Sequence, residues 1–219
     1  MGSGLSPFDQ IVSLGVFKDV LRSVVHRAKY ERMWSLAERL ADRLAERADA
    51  AEMLDYCDVM VPVPLHPTRH FERGYNQAEV IARRICWRFH QRADRRLGSA
   101  NSQSSLFDAR NSAWRFPKIL DRFRKRGLKV VKAAERIRAT ESQTYLPSHA
   151  GRYENMRDAF QLVDPDAIAD KHIVLVDDVT TSGATLVSLA RTIKIGKPRC
   201  ISALVLAVAD PKGRSFEVA

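Results

Sequence analysis

Two adjacent carboxylates and a cluster of hydroxyls mark one short stretch of the chain, Asp177-Asp178-Val179-Thr180-Thr181-Ser182-Gly183-Ala184-Thr185. Hydroxyl and backbone N–H donors gathered at the start of a helix bind a phosphate, helped by the positive end of the helix dipole. Gly183 has no side chain to keep a phosphate off the backbone. Thr181, Ser182, Gly183, Ala184 and Thr185 are therefore the candidate phosphate loop. Asp177 and Asp178 cannot bind that phosphate, so they must serve a neighbouring part of the ligand, either sugar hydroxyls or a metal ion such as magnesium. A sugar phosphate satisfies both halves. The two acids are the candidate catalytic residues, with sugar binding and proton transfer both open as roles.

Such a site needs a strand to deliver the acids and a helix to present its N-terminus. His172-Ile173-Val174-Leu175-Val176 reads as a buried strand that surfaces at its C-terminal end, where open α/β sheets place their ligand crevices. Leu186 to Ile193 has the apolar spacing of a helix packed on a sheet. An apolar strand ending in Asp-Asp also occurs in Walker B segments and receiver-domain acid clusters. No G-x-x-x-x-G-K-[ST] occurs in the chain, so a P-loop lacks its other half. An ordinary strand–turn–helix with a polar turn is the bland alternative.

The stretch closely resembles the signature of the type I phosphoribosyltransferases, in which a strand, two acids and a Thr/Ser/Gly loop bind phosphoribosyl pyrophosphate (PRPP). That resemblance implies that Asp177 and Asp178 meet the ribose hydroxyls and that Thr181 to Thr185 grip the 5′-phosphate. It also implies magnesium as cofactor, carried by the PRPP, with Asp177 and Asp178 as its possible protein contacts.

A second informative stretch lies upstream. Val59-Met60-Val61 is a short apolar strand that runs into Pro62 and Pro64, which cannot continue ladder pairing, so the chain should leave the sheet as a stiff loop. His66, Arg69, His70 and Arg73 ahead of Gly74 make that loop a compact positive patch with donors suited to a pyrophosphate, or else a solvated surface turn. Asn76 is a plausible N-cap for a helix to about Phe89, with Ala78, Ile81, Ala82, Ile85 and Phe89 on one face. Pro62-Val63-Pro64-Leu65-His66, Arg69 and Arg73-Gly74-Tyr75-Asn76-Gln77-Ala78 resemble the competence protein F (ComF/GntX-like) group of that superfamily. Its later signature returns as Arg138, Thr140, Gln143, Leu146, Arg152, Asn155, Ala159 and Phe160. The resemblance implies a pyrophosphate site at His66, Arg69, Arg73 and Gly74. It further implies a mobile loop over the site that includes Arg138, Thr140, Gln143, Arg152 and Asn155. No C-x-x-C occurs, so the zinc ribbon usual in that group has no counterpart in this sequence.

Composition sets the outer bounds. With 219 residues and 45% apolar content, the chain suits a single domain, 1–219, with a real core. A net charge of +10 favours anionic partners: phosphorylated metabolites, nucleic acid or acidic lipid. Three scattered cysteines spell neither a disulfide framework nor a metal site, and a reducing cytoplasm is the simplest setting. No apolar run approaches the roughly 18 residues of a membrane span. Asp9 and Lys18 argue against a signal peptide.

The N-terminal part, 1–57, reads as two helices, Ile11 to Tyr30 and Met33 to Glu52, forming a small helical cap over the crevice. His26, Arg27 and Lys29 at the first helix end are either a wet face or part of the anion site. Residues 94–126 read as a basic insertion, loop-like at Gly98 to Ser105, then rich in Trp114, Phe116, Arg122, Phe123, Arg124, Lys125 and Arg126. Basic residues interleaved with aromatics suit single-stranded nucleic acid, or simply an excursion packed on the domain. A weak strand is placed near Leu128 to Ala134, and a buried parallel one at Cys200 to Val208.

The expected fold is a type I phosphoribosyltransferase-like (Rossmann-like) α/β domain, a parallel sheet flanked by helices. Two function classes stay open. One is a magnesium-dependent transferase acting on an unidentified nitrogenous acceptor in nucleotide metabolism. The other is a PRPP-binding or DNA-handling protein of the competence type that performs no turnover.

Overall fold

A computed structural model describes residues 7–30, 33–103, 127–138 and 158–209. The chain runs β1 (Ile11–Val16), α1 (Asp19–Tyr30), α2 (Trp34–Glu46), α3 (Ala48–Tyr56), β2 (Val59–Pro62), α4 (Pro67–Arg73), α5 (Gln77–Gln103), β3 (Lys129–Val130), β4 (Ala134–Arg136), β5 (Phe160–Leu162), β6 (His172–Thr180), α6 (Ala184–Lys194) and β7 (Cys200–Val208). Five strands form a wholly parallel sheet in the order β1-β7-β6-β2-β3, and β4 and β5 pair as a separate antiparallel ribbon.

The central strands are apolar on both faces because both faces are covered, as parallel sheets require. Ile173 and Leu175 of β6, with Ile201, Ala203 and Val205 of β7, pack with α6 and the β4–β5 ribbon in one core. Val174 and Val176, with Leu204 and Leu206, pack with α1, α2, α3 and α5 in the other. The two sets alternate along each strand, as the period of two demands.

Four expectations need correction. Ile11 to Val16 is a strand, not the start of a helix, because the open edge of β7 offers backbone partners from Ala203 to Val208 and the β-branched run suits them. The helix expected from Met33 to Glu52 breaks at Arg47, whose extended backbone (ψ 141°) separates α2 from α3. Arg47 donates there to both carboxylate oxygens of Asp49, at 3.0 and 2.8 Å. The stiff loop after Pro64 folds as α4, with Pro67 in its first turn and the His66 ring accepting from the Thr68 N–H at the N-cap. Helix α5 runs on to Gln103, so the part of the insertion from 94 to 103 is helical in its backbone, and residues 104–126 lie outside the described structure.

The N-terminal helices pack against α5 and the sheet. Helix α2 lies along α5, where Arg84 donates to both oxygens of Asp42 at 2.7 and 2.8 Å and Arg88 reaches Glu46 at 2.7 Å. These helices cover a sheet face through Ala41, Leu44 and Ala45, and only the C-terminal end of α1 reaches the crevice. No helix among the described residues is long and apolar enough to cross a membrane.

Candidate functional site

Strand β6 carries both acids to the C-terminal edge of the sheet. Successive side chains on a strand point to opposite faces, and Asp178 follows Val176 toward the layer of α1, whereas Asp177 follows Leu175 toward the β4–β5 ribbon. A cation acts on each acid from its own side. Lys29 Nζ, near the end of α1, stands 3.0 Å from Asp178 Oδ1 in a pair largely shielded from water. Arg136 of β4 acts electrostatically on Asp177. The Asp178 N–H donates to Asp177 Oδ1 at 2.8 Å, and the Val179 N–H donates to Asp178 Oδ1 at 2.6 Å.

Burial, and next the charge of Asp178, push the Asp177 carboxyl up to about 7, against the opposing pull of Lys29, the Asp178 N–H and Arg136. Two neighbouring carboxyls in a shielded crevice resist carrying two charges. Asp177 therefore changes protonation near neutral pH.

The candidate phosphate loop follows directly. Gly183 holds φ 75°, a left-handed conformation costly for a residue with a side chain, and its carbonyl accepts from the Val187 N–H in the first turn of α6. Ser182 is buried, and its Oγ accepts from the Ala184 N–H at 3.4 Å. Thr181 and Thr185 are half-buried beside it. Helix α6 thus starts at the place where the chain leaves the sheet edge, with its N-terminus toward the crevice.

The expected pyrophosphate residues sit on or beside α4. His66 spends Nδ1 on capping the helix, 2.8 Å from Thr68 Oγ1. Arg69 lies 3.5 Å from Glu72, and Arg73 donates to Gln77 Oε1 at 3.3 Å. Gly74 ends the helix at φ 78°, where an added Cβ would meet no atom within 4 Å, so conformation rather than space calls for glycine. Asn76 donates to the Val63 carbonyl and accepts from the Ala78 N–H, both at 3.0 Å, which caps α5 and fastens it to the end of β2. Arg138 is exposed just past β4. Thr140, Gln143, Arg152 and Asn155 lie outside the described residues.

Tertiary packing adds residues that spacing did not reveal. The Tyr75 hydroxyl donates to the Ala28 carbonyl and ties the end of α1 to the α4–α5 junction. Burial raises the Tyr75 phenol above its ordinary range, with Gln77, Asp178 and Arg73 also acting on it. Arg136 lies over the Phe160 ring, 5.7 Å from its centroid, and its guanidinium feels Asp177, Arg69 and Arg73 together. Nothing in Glu135-Arg136-Ile137 distinguishes that arginine from a solvated one. The basic cluster at the end of α1 divides: Lys29 reaches the acids, whereas His26 and Arg27 line a separate open cavity of about 550 Å³ with Asp19, Arg22 and Ser23.

A parallel sheet with paired acids at one strand end, followed by a glycine-led helix N-terminus, defines a type I phosphoribosyltransferase-like fold. The chain belongs to the phosphoribosyl transferase domain family, whose signature it matches over residues 109–218. Curated relatives include the DNA utilization protein YhgH of Salmonella typhimurium, 27% identical over 189 residues, which cover 84% of this chain and 66% of that protein. YhgH of Escherichia coli K12 is 25% identical over 188 residues, with the same two coverages, 84% and 66%. Competence protein F of Haemophilus influenzae is 24% identical over 191 residues, 85% of this chain and 67% of the relative. The chain thus spans about two thirds of the length of these proteins. The competence protein F resemblance read at Pro62 to Ala78 agrees with them, and the family match begins at Ala109, inside the stretch read as an insertion.

Proposed function

We propose that the protein binds PRPP with magnesium and transfers its phosphoribosyl group to a nitrogenous acceptor. The observation that carries this reading is the continuity of one structural unit: acids at the end of β6, then Gly183 at positive φ, then the N-terminus of α6. One end suits the ribose hydroxyls and the other the 5′-phosphate.

Asp177 and Asp178 accept hydrogen bonds from the ribose 2′- and 3′-hydroxyls and favour positive charge developing at C1. Arg69, Arg73 and the ring of His66 stabilise the leaving diphosphate. The C1–O bond breaks with its electron pair leaving on the diphosphate, a C1–N bond forms from the acceptor lone pair, and the acceptor nitrogen gives up a proton. Asp177 is the group suited to take that proton, because its carboxyl titrates near neutrality. By the family resemblance, the segment holding Arg138, Thr140, Gln143, Arg152 and Asn155 would be the one to exclude water from the reacting carbon.

Magnesium suits the donor set in one way only. Among the described residues no cluster of three His, Cys, Asp or Glu side chains forms a cage, and Asp178 Oδ1 already receives Lys29 and the Val179 N–H. The ion would draw its oxygens chiefly from diphosphate and water, with Asp177 and Asp178 as the protein contacts, and would supply neutralisation of the leaving group.

Calorimetric titration with PRPP and magnesium is the direct test. Asp177→Asn and Thr181→Ala should each weaken binding at least tenfold, and a panel of bases and amines should contain one that releases pyrophosphate. Tight binding unaffected by both substitutions would sink the assignment of the site. Binding without release under any acceptor would leave a PRPP sensor.

A second reading, handling of single-stranded DNA, draws support from the names of the relatives and from the net charge of +10. It is compatible with a PRPP site and locates its contacts elsewhere.

A further inference from the structure

A lysine on the packed face of a helix needs a partner for its charge. Val25 and Ala28 of α1 are buried in the core, and Lys29 stands four residues after Val25, on the same face of the helix. Its ammonium ends 3.0 Å from Asp178 Oδ1, with the lysine side chain 19% exposed and the aspartate side chain 11%. At that depth the pair differs from a surface contact, because removing one partner leaves the other charge with little water to replace it. The stem is anchored as well. The Ala28 carbonyl, in the last turn of α1 where carbonyls run out of helical donors, accepts from the Tyr75 hydroxyl. Tyr75 lies between Gly74, which ends α4, and Asn76, which is bonded to the Val63 carbonyl at 3.0 Å. The lysine backbone is thereby fastened to the crevice wall through its neighbour in the chain.

That ammonium stands where a metal ion would. Lys29 Nζ and the Val179 N–H both approach Asp178 Oδ1, at 3.0 and 2.6 Å. Magnesium bonds a carboxylate oxygen at about 2.1 Å, so an ion on this carboxylate would crowd an ammonium of like charge where water screens poorly. The lysine also neutralises one of the two acids, which removes much of the field that would draw a dication in. Among the described residues no third His, Cys, Asp or Glu joins the pair to complete a cage.

We infer that Lys29 is the built-in counter-ion of the acid pair: it takes the place of a divalent ion at Asp178, so the crevice holds no metal of its own and admits one only on a ligand that brings its own phosphate oxygens. The inference rests on the phosphoribosyl reading only for what that ligand is. A sugar monophosphate then binds without a divalent ion, whereas PRPP carries magnesium in on its diphosphate, and Asp178 meets the ion through water at most.

The test titrates the full chain with manganese, which shares magnesium's taste for carboxylate oxygens and is followed by the paramagnetic signal of the free ion. Lys29→Gln, which keeps an N–H donor for Asp178 and loses the charge, should bind one manganese ion roughly tenfold or more tighter than the parent does. Lys29→Arg should behave as the parent, and adding Asp178→Asn to Lys29→Gln should abolish the gain and so locate the ion. Ribose 5-phosphate should bind the parent equally in EDTA and in excess magnesium, whereas Lys29→Gln should lose affinity in EDTA and regain it when magnesium is added. Should Lys29→Gln fold poorly by thermal unfolding, Tyr75→Phe keeps the lysine and releases its anchor, and a smaller gain of manganese binding is expected. Manganese held by the parent as tightly as by Lys29→Gln overturns the inference, as does a Lys29→Arg variant that takes up the ion as Lys29→Gln does. If manganese behaves as expected but neither ribose 5-phosphate nor PRPP binds the parent, the counter-ion stands and the phosphoribosyl reading falls.

Discussion

At the residue scale the site is a matter of where charge is allowed to sit. Lys29 on one side and Arg136 on the other serve two carboxyls that a bare crevice would not keep ionised together. The Asp177 carboxyl is raised in the folded protein, so the native state holds its proton more tightly than the unfolded chain does. Stability linked to this group is therefore greatest below the unfolded carboxyl pKa of about 4 and falls as the pH rises toward about 7. Asp177→Asn removes the charge and keeps an acceptor for the Asp178 N–H. The variant should melt a few degrees above the parent at pH 8, roughly 1 kcal/mol, with the difference shrinking toward pH 4.5. Thermal scans across that range check it; a variant less stable than the parent at pH 8 would show that the ionised carboxylate is held by contacts stronger than its burial cost. Under the proposed reading activity should run the other way, as functional sites tend to store such cost. The pair of acids was evident from sequence because its chemistry lies in adjacent residues, whereas Arg136 is brought to it by a ribbon whose register no local pattern records.

At the scale of elements, the turn from β6 into α6 does the positioning. Gly183 is the left-handed N-cap residue, and in the proposed site it is also the place without a side chain where a phosphate would meet the helix start. Gly183→Ala should cost about 1 kcal/mol of stability and weaken ribose 5-phosphate binding at least tenfold. Chemical denaturation and calorimetry read the two effects separately, and an alanine variant that binds as the parent does would argue that the phosphate sits away from this turn. Helix α4 carries a related lesson. Proline-rich composition after β2 reads as a loop, yet Pro67 is tolerated in a first helical turn and His66 and Gly74 close the two ends, so three features typical of loops define a short helix. The reverse holds for Gly98 to Gln103, polar enough to read as loop and nevertheless the last turns of α5.

At the scale of the whole molecule, the net charge of +10 is less available than it looks. Arg84 and Arg88 of α5 are committed to Asp42 and Glu46 of α2, Arg83 to Glu79, and Arg92 to the Ala45 carbonyl. The Arg84 hydrogen bond, with further help from Arg88, holds the Asp42 carboxyl below its usual range, so this contact is a fastening between helices. A DNA-binding surface would therefore draw on residues outside this contact, among them Arg122, Arg124, Lys125 and Arg126. Single-stranded DNA should bind with an affinity that falls on the order of tenfold or more between 50 and 200 mM salt. Replacing those four residues by glutamine should flatten the dependence. Absence of binding even at low salt would remove the DNA reading and leave the small-molecule one untouched.

What the sequence by itself determined is local: the β6–α6 unit with its paired acids and glycine turn, the Asn76 cap that starts α5, and the apolar runs of β6 and β7. In each, the residues that carry the chemistry lie next to those that fold it. Tertiary structure alone decided the rest. β1 exists because β7 has an open edge, α1 and α2 became a layer of the core because a parallel sheet needs both faces covered, and the two cations of the acid pair come from elements far apart in the chain. Long-range partners leave no period and no spacing in the sequence, because nothing but the assembled sheet brings Lys29, Arg136 and Asp177 to one crevice.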